Sequence, residues 1–126
     1  MAHKQKLLYV DDEEANILLF TVNFRDRFDL ITANSGQEGL DILERNSDIS
    51  IVVCDLRMPF MSGLEMVSIA HNRYPDKHYF ILSGIDVSDE IKEYMDKKII
   101  SDYFCKPIRI DLINNRLSSI SNSKSA

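Results

Sequence analysis

Residues 49–54 read ISIVVC, five apolar positions of six, rich in β-branched side chains and followed at once by Asp55. A strand with one wet face alternates apolar and polar residues, whereas a short, nearly continuous apolar run is a strand buried on both faces. Such strands belong to parallel sheets covered by helices on both sides. Working outward, comparable short runs occur at 7–10 (LLYV), 29–33 (DLITA), 78–82 (HYFIL) and 100–105 (ISDYFC). Between them apolar residues recur at helical spacing: Ile17, Phe20 and Phe24; Leu40 and Leu43; Leu64, Val67 and Ala70; Ile91, Tyr94 and Met95; Leu112, Leu117 and Ile120. Ser35 with Glu38, and Ser62 with Glu65, have the spacing of capping boxes and fall where two of these helices should start. Strand followed by helix, five times over, predicts an open, doubly wound α/β fold with a parallel sheet and right-handed crossovers.

A chain of 126 residues suits a single domain, expected over 1–120, with 121–126 as a polar tail or linker stub. Twenty acidic against 15 basic residues give a net charge of −5, which supplies no basic footprint for nucleic acid and no polybasic patch for a membrane. No apolar run approaches the ~20 residues that cross a bilayer, and MAHKQK lacks the apolar core of a signal peptide, so a cytoplasmic protein is expected. Cys54 and Cys105 each end an apolar run and read as small buried hydrophobes. They end the third and fifth strands, too far apart for a disulfide if the fourth strand lies between them.

In open parallel sheets ligands bind beyond the carboxyl ends of the strands. The first strand is followed by Asp11 and Asp12, the third by Asp55, the fourth by Ser83 and the fifth by Lys106. Each residue alone has an ordinary reading: Asp12 as a helix cap, Glu13 and Glu14 as acids at a helix start, Asp55 in a turn, Lys106 as a surface cation. Capping does not require such residues to gather at one rim. Three carboxylates with one lysine lack positive charge, and a hard divalent ion complements them. Few carboxylates with room for water suit Mg²⁺ better than Ca²⁺. A carboxylate beside a metal, an ammonium and a hydroxyl also has what phosphoryl transfer requires, with Asp55, alone at the middle of the sheet, as the nucleophile. His3, His71 and His78 share no spacing or strand end that would make them metal ligands.

The set VDDEE, VVCDLRMPFMSG, LSG and YFCKP, in this order, resembles the receiver domain of bacterial two-component response regulators, the CheY-like type of flavodoxin-like (βα)5 fold, over about residues 5–120. The resemblance implies strand order 2-1-3-4-5 and transfer of a phosphoryl group from a histidine kinase or a histidine phosphotransfer protein to an aspartate. Asp55 matches the phosphoacceptor, Asp11 and Asp12 the acidic pair that holds Mg²⁺, and Arg57 the position whose backbone carbonyl completes the metal shell. Ser83 matches the switch hydroxyl, Lys106 the lysine that pairs with the phosphoryl group, and Tyr103 the aromatic that swings inward on activation. Lys106-Pro107 resembles a lysine-proline step that is often cis, and Gly63 is expected to adopt a backbone that other residues avoid.

Departures from the pattern are informative. Gly84 stands where alanine is most common after the switch hydroxyl and should leave the pocket open. KKIISDY lacks the Gly-Ala usual before the fifth strand, which bears on how the fourth helix ends. Arg57 and Ile85 occupy positions that tune the lifetime of the aspartyl phosphate in related proteins. A dehalogenase-like phosphatase would need an aspartate where Arg57 stands, and a flavin carrier would need a glycine- and hydroxyl-rich loop where Asp11–Glu14 stand. An interaction module that does not turn over phosphate, and the receiver part of a longer regulator with an effector domain, stay open. The fourth-helix, fifth-strand and fifth-helix face carries Lys92, Asp96, Asp102, Arg109 and Arg116, charges able to pair across a phosphorylation-dependent homodimer or to sit in solvent.

Overall fold

A computed structural model describes residues 4–84 and 88–124, with side chains through residue 120. The elements alternate without exception: β1 (Lys6–Val10), α1 (Glu14–Phe24), β2 (Asp29–Ala33), α2 (Gly36–Arg45), β3 (Ile49–Asp55), α3 (Gly63–Arg73), β4 (His78–Ser83), α4 (Asp89–Asp96), β5 (Asp102–Cys105) and α5 (Ile110–Lys124). All neighbouring strands pair in parallel, in the order β2-β1-β3-β4-β5. Among the described residues no helix is long and apolar enough to cross a membrane.

The apolar runs are continuous because alternate residues serve different cores. Leu8, Val10, Val52 and Cys54 face a cluster completed by Leu40 and Leu43 of α2, Leu64 and Val67 of α3, and Ile91 of α4. Leu7, Tyr9, Ile51 and Val53 face the other side, with Phe20 and Phe24 of α1 and Ile113, Leu117 and Ile120 of α5. Each such side chain, fully buried, contributes roughly 1.5–3 kcal/mol. A slip of one residue would exchange the two sets, so packing on both faces fixes the register.

Several local expectations are corrected. On α5 it is Ile113, not Leu112, that faces the core, and Leu112 is about half exposed. Positions 113, 117 and 120 follow the four-then-three spacing of one helical face, and residue 112 lies a fraction of a turn away. The helix backbone of α5 continues to Lys124. Cys105 ends the edge strand β5 and is exposed, while Cys54 is buried; both thiols are free. At Ser62 the capping box is complete. At Ser35 the hydroxyl accepts from Glu38 N–H, but the Glu38 carboxylate accepts from Asn34 N–H, one residue ahead of the cap.

The end of α4 shows how the chain manages without glycine. Ile99 N–H donates to the Tyr94 carbonyl and Lys98 N–H to that of Met95, the paired bonds of a Schellman turn. Lys98 takes the left-handed position of that turn, at φ 60°. A side chain there costs roughly 1–2 kcal/mol through the clash of Cβ with the following carbonyl. Lys98→Gly is therefore expected to raise the unfolding free energy by about 1 kcal/mol, with an unchanged denaturant slope in a urea titration.

Candidate functional site

The strand register assembles the rim. Val10 pairs with Cys54, so Asp11 and Asp55, the next residue of each chain segment, emerge side by side. Hydrogen bonds carry the ladder one step beyond the strands: Asp11 N–H to the Ala33 carbonyl (3.1 Å), Leu56 N–H to that of Leu82 (2.8 Å) and Lys106 N–H to that of Ser83 (2.7 Å). Backbone hydrogen bonds thus set where Asp55, Ser83 and Lys106 leave the sheet.

One carboxylate oxygen from each of Asp11, Asp12 and Asp55 lies within 4.8 Å of the others. Asp11 and Asp55 are buried and Asp12 is exposed. Lys106 Nζ sits 2.6 Å from Asp55 Oδ1. Burial, with the charges of Asp11 and Asp12 beside it, holds the Asp55 carboxyl above its ordinary value although Lys106 pulls the other way. Burial lowers the Lys106 ammonium, but the hydrogen bond to Asp55 and its charge outweigh it and leave the group raised. Three acids against one base leave a formal excess of two negative charges, and the donors are all hard oxygens with one side open to water. This donor set fits Mg²⁺.

Above Asp55 lies a cleft of about 280 Å³ lined by Glu13, Asp55, Leu56, Arg57, Gly84 and Lys106. Ser83 is buried at the adjacent strand end. Arg57 is exposed at the mouth. A Cβ added at Gly84 would meet nothing within 4 Å, so the cleft is open there with or without a methyl group. Tyr103 is half-buried and packs on the α2–α3–α4 core, outside this cleft. The Lys106-Pro107 bond is cis. His3 and Ile85 lie outside the described residues.

Two participants carry no signal in the pattern that marked the others. Tyr9 reads as a strand-forming aromatic, yet its hydroxyl donates to Asp11 Oδ2 at 2.7 Å. Glu13 reads as an acid at a helix start, yet it lines the cleft. Ahead of α1, Asp11 accepts from Glu13 N–H at 3.0 Å, and no side chain caps the helix itself.

The loop between β3 and α3 reverses another expectation. Gly63 does not have a positive φ; the residue that does is Phe60, at 67°. Met61 N–H donates to the Pro59 carbonyl at 2.7 Å, a γ-turn around Phe60 of the rare positive-φ kind, and the ring is fully exposed. Gly63 is required for a different reason. A Cβ there would overlap the backbone carbonyl oxygen of Asp55, while Gly63 N–H donates to the Leu56 carbonyl at 2.8 Å. On the face of α4, β5 and α5, Asp102 and Arg116 pair with each other at 3.1 Å, and the guanidinium lies over Phe80. Those two charges are matched within the chain, and Lys92, Asp96 and Arg109 are exposed.

Residues 7–118 match the family model described as the response regulator receiver domain. The chain is 28% identical over 119 residues to a chemotaxis protein CheY homologue of Campylobacter jejuni, covering 91% of each. It is 30% identical over 108 residues to the hydrogenase transcriptional regulatory protein HoxA of Cupriavidus necator, a match spanning 85% of this chain but only 22% of that protein. Among solved structures it resembles a response regulator receiver domain protein of Clostridium thermocellum, with a TM-score of 0.88, 26% identity and coverage of 95% and 96% of the two chains.

Two outcomes follow from this geometry. A raised Asp55 carboxyl means that its contribution to stability is fully present below the ordinary value of 3.8 and is lost as pH rises through the raised one. Without metal at neutral pH, Asp55→Asn should melt about 4 °C above the parent, as ~1 kcal/mol gives for a domain of this size, with the gap closing on acidification in a calorimetric series. Gly63→Ala should destabilise by about 2 kcal/mol or more, measured by urea unfolding, because the atom it strikes is backbone that cannot swing aside.

Proposed function

The chain belongs to the response regulator receiver domain family, and from that premise we propose that Asp55 accepts a phosphoryl group from the phosphohistidine of a histidine kinase or a histidine phosphotransfer protein. The single observation that carries this reading is a buried carboxylate, paired with Lys106 at 2.6 Å, on the floor of the cleft and within a three-acid cluster. Asp11, Asp12 and Asp55, with the backbone carbonyl of Arg57, would hold Mg²⁺, which supplies charge neutralisation for the transferring group. An Asp55 carboxylate oxygen attacks phosphorus in line, the P–O bond forms as the donor's P–N bond breaks, and the imidazole nitrogen leaves with the bonding pair. Lys106 and the Ser83 hydroxyl pair with the phosphoryl oxygens. Movement of Ser83 and Tyr103 is the switch that reshapes the face of α4, β5 and α5.

On this reading the protein is a cytoplasmic signalling domain that catalyses only its own phosphorylation and dephosphorylation. Its output passes to an effector protein or domain, or to a phosphorylation-dependent homodimer through the exposed charges of the same face. The matches span 22% of HoxA and 91% of the CheY homologue, so the receiver portion of a longer regulator and a lone receiver are both variants of this reading. A module that docks without turning over phosphate is the competing class.

The intact mass after incubation with acetyl phosphate separates the classes. One added phosphoryl group that requires both Mg²⁺ and Asp55, and is missing in Asp55→Asn, is the expected result. No adduct, together with no response to beryllofluoride, would favour the docking module.

A further inference from the structure

Tyr9 is completely buried, stacked on Phe20 with ring centroids 4.1 Å apart and planes 8° from parallel. The stack continues to Phe24 at 4.4 Å, so the ring is held by α1 on one side and the sheet on the other. Residues two apart on a strand share a face, which sets the Tyr9 hydroxyl beneath Asp11. It donates to Asp11 Oδ2 at 2.7 Å, while Oδ1 accepts from Glu13 N–H at 3.0 Å. Both oxygens of Asp11 are thereby fixed, each with a lone pair left over.

From this geometry we infer that Tyr9 is a positioning residue of the acidic site: its hydroxyl locks Asp11 in the orientation that receives the divalent cation. The inference rests on the Mg²⁺ reading above. Without that bond, repulsion from Asp12 and Asp55 would turn the Asp11 carboxylate away, and binding would have to restore its orientation. Groups that orient metal ligands through a hydrogen bond are worth roughly 10- to 100-fold in metal affinity. Packing does not need the hydroxyl, since a phenylalanine ring would fill the same space against Phe20.

The structure contains its own control. Tyr79 is equally buried, but its hydroxyl donates to the Tyr74 carbonyl at 2.8 Å near the amino end of β4, remote from the acids that follow the strands. Tyr9→Phe and Tyr79→Phe each remove one buried hydroxyl, and only the first touches Asp11.

The test is Mg²⁺ binding by isothermal titration calorimetry for the parent and both variants, alongside metal-free melting. Both variants are expected to melt lower than the parent. Tyr9→Phe should bind Mg²⁺ about tenfold more weakly, and Tyr79→Phe should bind it as the parent does. Parent-like affinity in Tyr9→Phe, or equal weakening in both variants, overturns the positioning role and leaves the metal site standing. Absence of Mg²⁺ binding by the parent overturns the metal reading and this inference together. Should Tyr9→Phe not melt cooperatively, the tyrosine ultraviolet difference spectrum on adding Mg²⁺ decides. A change seen in the parent and retained in Tyr79→Phe is expected, and no change overturns the inference.

Discussion

Carboxylates held within 4.8 Å of one another repel, and two of the three at this rim are also withdrawn from water. Left to itself, such a group would separate or take up protons. It stays together because the backbone beneath it is not free to move: β1 and β3 are packed on both faces, and their register is fixed by two sets of side chains at once. The offsetting interactions are local and few. Lys106 neutralises Asp55, while Asp11 accepts from the Tyr9 hydroxyl and from Glu13 N–H. What they do not offset is the excess negative charge of the three-acid cluster.

The strained backbone positions follow the same logic. Phe60 occupies a positive-φ γ-turn with its ring in solvent, and Lys98 holds the left-handed place that glycine fills at lower cost. Gly63 is tied to Asp55 by contact, since its bare Cα is what lets α3 begin against the carbonyl of Asp55. An uncomfortable conformation is tolerated where the surrounding structure over-determines it, and here that structure is the apolar sandwich below the rim.

Much of this was legible in the residues. ISIVVC announced a strand buried on both faces, and Asp11, Asp12, Asp55, Ser83 and Lys106 could be found because the fold gathers whatever ends or follows a strand at one rim. Other features were not legible. Tyr9 sits in an apolar run, where an aromatic is explained by packing alone, so the bond to Asp11 left no mark in the pattern. Leu112 and Ile113 are adjacent and equally apolar, and only docking of α5 on the sheet selects Ile113. Cys105 reads like Cys54 until one knows that β5 is an edge strand.

The sequence by itself determined the alternation of elements, the parallel sheet and the types of residue at the strand ends, because periodicity and composition are local properties carried by neighbouring residues. Distances and partners were decided by the tertiary structure: which oxygen of Asp11 meets Tyr9, how near Lys106 comes to Asp55, and why residue 63 has no room for a Cβ. These are relations between residues remote in the chain, or dependent on rotamer and loop path. They take definite values only once both faces of the sheet are packed.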